Sequence, residues 1–77
     1  MWQISWSALG VPIGFERGRT ENLRKTFSKL RPIIARICPG REHIVPSTEE
    51  FDGQALVSDY NEVRCIQRAN NIANYTY

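Results

Sequence analysis

Arg17–Arg41, RGRTENLRKTFSKLRPIIARICPGR, is the stretch from which the rest of the chain is read. Two patterns overlap in it. Leu23, Phe27, Leu30, Ile34 and Ile37 recur at spacings of 4, 3, 4 and 3, which puts them on one face of a helix. Lys25, Lys29 and Arg36 fall on the opposite side, and Arg24 and Arg31 flank the apolar stripe. With Arg17, Arg19 and Arg41 these make eight of the ten cations in the chain, against the single carboxylate Glu21, a formal charge of +7. Thr20 is placed to cap the helix, and Glu21 puts a carboxylate in the first turn, where the helix dipole favours it. Pro32 removes a backbone donor and crowds the preceding turn, at about 3 kcal/mol in a regular helix interior. The helix is therefore expected to kink at Pro32 or restart there, and Cys38-Pro39-Gly40 ends it.

Residues 42–62 carry the opposite charge. Glu42, Glu49, Glu50, Asp52, Asp59 and Glu62 stand there without a Lys or Arg, a formal −6. The chain is thus two opposed charge blocks in series, with a net charge of +2 and a pI near 8.8. Seventy-seven residues make a single small domain, 1–77. A chain of this size buries roughly 60% of its unfolded surface, so the core is thin and a dimer, metal or disulfide often supplements it. It is too short for a doubly wound sheet or a barrel with a deep catalytic cleft, which counts against an enzyme.

At the N-terminus Trp2, Ile4 and Trp6 alternate with Gln3, Ser5 and Ser7, the period of a strand. Gly10-Val11-Pro12 breaks the alternation and Ile13 and Phe15 resume it, so the pattern predicts a hairpin of residues 2–9 with 13–17. The two tryptophans are read as packing on the helix that follows. Farther on, His43-Ile44-Val45 suits either a third short strand or an extended connection. Ser47 and Glu50 have capping-box spacing and predict a short helix weakened by Gly53. Residues 54–58 read equally as helix or strand. Asp59 and Glu62 repeat the cap spacing, and Val63, Ile66, Ala69 and Ala73 then form a narrow apolar stripe with Arg64, Arg68 and Asn71 off it. They predict a last helix from about Tyr60 to Tyr75. The fold class expected is α+β: an N-terminal β-hairpin packed on an amphipathic, Pro-interrupted helix, then one or two further helices.

The N-terminal segment MWQISWSALG lacks a cationic start, and no apolar run approaches the roughly 20 residues of a membrane span. These features predict a cytoplasmic protein with Cys38 and Cys65 reduced, a disulfide being the expectation only for an exported chain. Gly14 and Gly18 are one residue too close for a P-loop, and Arg19 stands where a lysine is required. Cys38, His43 and Cys65 lack a Cys-x-x-Cys pair and a fourth zinc ligand. His43 forms no recognisable triad, so no catalytic residue, metal site or cofactor is expected.

The concentrated basic face without a catalytic set predicts a non-catalytic binding protein, not an enzyme. It would act as a regulator or inhibitor that occludes an acidic surface of a larger protein or ribonucleoprotein, as small proteins encoded by phages and other mobile elements often do. Arg17, Arg19, Arg24, Lys25, Lys29, Arg31 and Arg36 are the candidate partner-binding residues. The alternative is a DNA- or RNA-binding module using the basic helix 19–37, in which each neutralised phosphate adds salt-dependent affinity. A third arrangement has the two charge blocks neutralise each other, within the fold or across a homodimer. Surface pairs of that kind contribute only about 0–1 kcal/mol each, so they would orient the packing and not hold it.

Overall fold

The computed structural model describes residues 1–11, 19–47 and 49–75, with the side chains of 19–22 left aside. Its elements run in the order β1 (Trp2–Ser5), α1 (Arg19–Ile37), a single 3₁₀ turn (Glu42–Ile44), β2 (Gln54–Val57) and α2 (Tyr60–Tyr75). This is the expected α+β class, an antiparallel β-ribbon with an amphipathic helix that contains Pro32 and one further helix.

The ribbon joins distant parts of the chain. β1 pairs antiparallel with β2 in the register Trp2↔Val57, Gln3↔Leu56, Ile4↔Ala55 and Ser5↔Gln54. Residues 13–17, expected to return against the first strand, lie within 12–18 and outside the described residues. The first strand itself is shorter than the expected 2–9. After Ser5 the chain winds into turns, with the Leu9 N–H donating to both Ser5 O and Trp6 O at 3.2 and 3.1 Å. This winding drives Trp6, Leu9 and Val11 into the core, all three buried. Extension to residue 9 would have sent Trp6 and Leu9 to opposite faces of the ribbon.

Residues 54–58, open between helix and strand in the sequence, resolve as β2 because Ala55 and Val57 turn inward opposite Ile4 and Trp2 while Leu56 stays exposed. The entry to β2 is a turn in which the Asp52 carboxylate accepts the Gln54 N–H at 3.0 Å. Gly53, at φ +91°, takes there a conformation that a residue with a Cβ rarely adopts.

α1 buries Leu23, Phe27, Leu30 and Ile34 and half-buries Ile37, while Lys25, Lys29 and Arg36 stay exposed. It runs unbroken through Pro32 and does not restart there. Pro32 and Ser28 are both exposed, so water can reach the carbonyl that Pro32 leaves without its helical donor. Against α1 lies α2, which buries Val63, Cys65, Ile66 and Ala69.

Two loop readings are corrected. His43-Ile44-Val45 is neither strand nor fully extended, since Glu42–Ile44 forms the 3₁₀ turn that carries Ile44 and Val45 into the core. The Ser47–Glu50 cap exists, with the Glu50 N–H donating to Ser47 Oγ at 3.3 Å and the Ser47 hydroxyl to Glu50 Oε1 at 3.0 Å. A turn and not a helix follows it, because Phe51 must reach the Phe27 ring and Gly53 then reverses the chain into β2.

Cys38 and Cys65, expected to be reduced, form a disulfide across a separation of 27 residues. The last turn of α1 carries Cys38 to the buried face of α2, where Cys65 sits among the core residues. Closing a loop of that length restricts the unfolded chain by about 3.5 kcal/mol in the chain-entropy picture. A small domain is stable by roughly 5–15 kcal/mol in all, so this one bond outweighs several surface ion pairs. Native protein should therefore show no titratable thiol, and reduction should lower the unfolding free energy in urea by about 3 kcal/mol. An unchanged urea midpoint after complete reduction would show that the bridge does not hold the helices together.

Candidate partner-binding surface

The structure sorts the cations of the basic block into those engaged in the fold and those facing water. Arg31 is half-buried and donates to the Pro46 carbonyl at 2.7 Å, which ties the flank of α1 to the loop after the 3₁₀ turn. Arg41 donates to Glu62 Oε2 at 3.0 Å and lies 3.5 Å from Asp59. Arg24 is exposed and engaged in a contact of its own. Arg17 lies outside the described residues, and of Arg19 only the backbone, as the first residue of α1, is described. Lys25, Lys29 and Arg36 remain exposed and make no ion pair with a described residue. Their spacing of four and seven residues places them in one row along α1.

Beside this row is a groove of about 180 Å³ between the two helices. Lys25, Thr26, Lys29 and Leu30 line it from α1, and Asn70, Ala73 and Asn74 from α2. Lys25 and Lys29 are the only lysines in the chain. Asn70 is buried, and its Nδ2 donates to the Gly10 carbonyl at 2.8 Å. That bond fixes the N-terminal turn on α2 and holds one wall of the groove in place.

Glu62, at the start of α2, organises the acidic side of the molecule. Its side chain is 3% exposed. One carboxylate oxygen accepts the Ser58 N–H at 2.7 Å and the other takes Arg41, while the Glu62 N–H donates to Asp59 Oδ1 at 3.0 Å. This is the expected acid-x-x-Glu cap with one displacement, since Glu62 reaches back to residue 58 and not to the capping Asp59. A second groove of about 350 Å³ lies over the outer face of the ribbon, with Gln3 and Leu56 against its floor and His43, Glu50 and Asp52 among its walls.

The His43 ring is 67% exposed, with Nε2 3.9 Å from Glu62 Oε2. That is too far for a hydrogen bond, and His43 makes none to a described serine. Cys38 and Cys65 are bonded to each other, so neither offers a thiolate to a metal or a substrate. No group of three or more His, Cys, Asp or Glu among the described residues is arranged to hold a metal ion. No described helix is long and apolar enough to cross a membrane.

Comparison with known proteins finds no matching family model, no matching curated protein and no matching solved structure. The functional reading therefore rests on the surface alone.

The sequence reading did not single out Arg41 from the other cations or Asn70 and Asn74 from the other amides of α2. Asn70 and Asn74 sit one turn apart, next to Ala69 and Ala73 of the apolar stripe. That adjacency was the available signal. Arg41 is followed directly by the acidic block, but only the fold brings Glu62 to it. Replacing Glu62 by Ala removes the carboxylate that accepts both the Ser58 N–H and Arg41, and should cost about 2–3 kcal/mol in urea unfolding. A loss below about 0.5 kcal/mol would mark the cluster as an incidental surface pairing.

Proposed function

We propose that the protein is a non-catalytic binding protein that occludes an acidic surface of a larger protein, using the row Lys25, Lys29 and Arg36. The observation that carries this reading is the contrast along one helix and its exit. Arg31 and Arg41 are consumed by internal hydrogen bonds, while the row on the opposite face of α1 stays exposed with no described carboxylate against it. A desolvated charge pair across an interface gives orientation and rapid encounter, and an exposed cationic row supplies one half of it.

The disulfide bears on the compartment. Bridges of this kind persist in oxidising surroundings, so the bridged form is taken as the working form, outside a reducing cytosol. The cytoplasmic expectation holds only for a reduced chain. Thiol trapping in intact cells separates the two: blocked cysteines support the oxidising assignment, and alkylation of both returns the protein to the cytoplasm.

The binding reading is tested by capture from the source cells with the wild-type chain and with Lys25→Glu/Lys29→Glu/Arg36→Glu. The variant should keep its thermal transition, since the three side chains lie outside the core, and lose the captured protein by at least tenfold. Equal capture by both chains removes the proposal. If instead a random oligonucleotide binds with an affinity that falls steeply as salt rises from 50 to 200 mM, the nucleic-acid alternative replaces it.

A further inference from the structure

We propose that the groove between α1 and α2 is the seat for a carboxylate side chain of the partner, with Lys25, Lys29 and Asn74 as its ligands. This rests on the basic-face reading above and names the chemistry recognised there. Three features of the same place support it. The two lysines are one helical turn apart, so both ammonium groups can close on one small anion from the same side. Asn74, exposed on the opposite wall, offers a neutral amide donor across the groove. Half-buried Ala73, lying over the buried Leu30, gives the floor a small aliphatic surface, and the groove has about 180 Å³, room for a side chain and little more.

These features favour a protein carboxylate over a nucleic-acid backbone. A nucleic-acid backbone offers sugars and phosphates to a polar track, and Lys or Arg serves carboxylate and phosphate alike, so the cation type does not decide between them. The groove pairs point charges with an aliphatic floor, which suits the methylenes of a glutamate and an apolar neighbour beside it. Ala73 decides the shape. A larger residue there would fill the space without changing any charge, whereas removal of the lysines changes charge without filling it. The two effects are therefore separable.

The test is a titration of the full-length, ¹⁵N-labelled chain with a capped hexapeptide of alternating glutamate and leucine, followed by amide shifts. The expected result is saturable binding with a dissociation constant at or below about 1 mM, and shifts concentrated at residues 25–30 and 70–74. Asn74→Ala, an exposed substitution, should weaken binding about tenfold, as expected for loss of one hydrogen bond to a charged group. Ala73→Leu, with its thermal transition checked, should do the same or more. No binding at millimolar peptide, or shifts spread over Arg64 and Arg68 as strongly as over the groove, overturns the proposal. If folded Ala73→Leu binds as wild type while Lys25→Gln/Lys29→Gln does not, the groove is wrong and the basic-face reading survives. If the peptide seats in the groove while the charge-reversed triple variant still captures the cellular protein, the wider reading falls and the assignment of the groove to this partner falls with it, leaving a carboxylate site for another ligand. Inorganic phosphate that displaces the peptide at lower concentration than the peptide itself needs would assign the seat to a phosphate source and overturn the carboxylate.

Discussion

Phe27 lies with its ring centre 5.2 Å from that of Trp6 and 5.7 Å from that of Phe51. Through it α1 holds both the turn that follows β1 and the loop that leads into β2. Trp6 is fully buried, and its indole N–H finds no acceptor among the described residues. An unsatisfied donor of this kind costs about 1–3 kcal/mol. Burying 150–250 Å² of aromatic surface at about 25 cal/mol per Å² stabilises by roughly 4–6 kcal/mol, so the packing term wins. The disulfide then fixes the far end of α1 to α2. A thin core is thus fastened at two points along one helix, by rings near its middle and by sulfur just beyond its last turn.

The electrostatics divide along the same line. Where a cation lies beside the fold's own connections it is consumed: Arg31 holds the Pro46 carbonyl and Arg41 the nearly buried Glu62. On the opposite side of α1 Lys25 and Lys29 border α2, whose facing residues are amides and alanine and not carboxylates. The acidic block engages Arg41, at the end of the basic block, through Asp59 and Glu62. The opposed charge blocks of the sequence do not cancel wholesale, and the residue is a cationic row beside a groove.

What the sequence made legible is what local periodicity encodes. The stripe from Leu23 to Ile34 and the stripe from Val63 to Ala73 each repeat within a few residues, and both helices follow from them; α2 begins and ends where the Asp59 cap and the stripe predict. The ribbon was harder because a strand's partner is not a local property. Trp2 pairs with Val57, and the alternation near Trp2 says nothing of where its partner lies. The Ser47–Glu50 cap shows the converse, since the local hydrogen bonds formed and tertiary demands on Phe51 and Gly53 overrode the helix they usually start. The Cys38–Cys65 bond is not legible locally, because the pairing follows from two inward faces that only meet once the helices pack. Of the candidate site, the cationic row was legible from spacing, but the groove's second wall belongs to another helix and was not.

The account depends on α1 keeping its cations in water while its apolar stripe is buried. The two lysines allow this to be measured directly, as the rate at which an amine-acylating reagent modifies Lys25 and Lys29 in the folded chain, compared with the same chain in urea and read by mass spectrometry. Rates within about twofold of the unfolded chain at both positions are the predicted result. Protection of either lysine by tenfold or more would mean that the fold itself has claimed the charge, and would contradict the account.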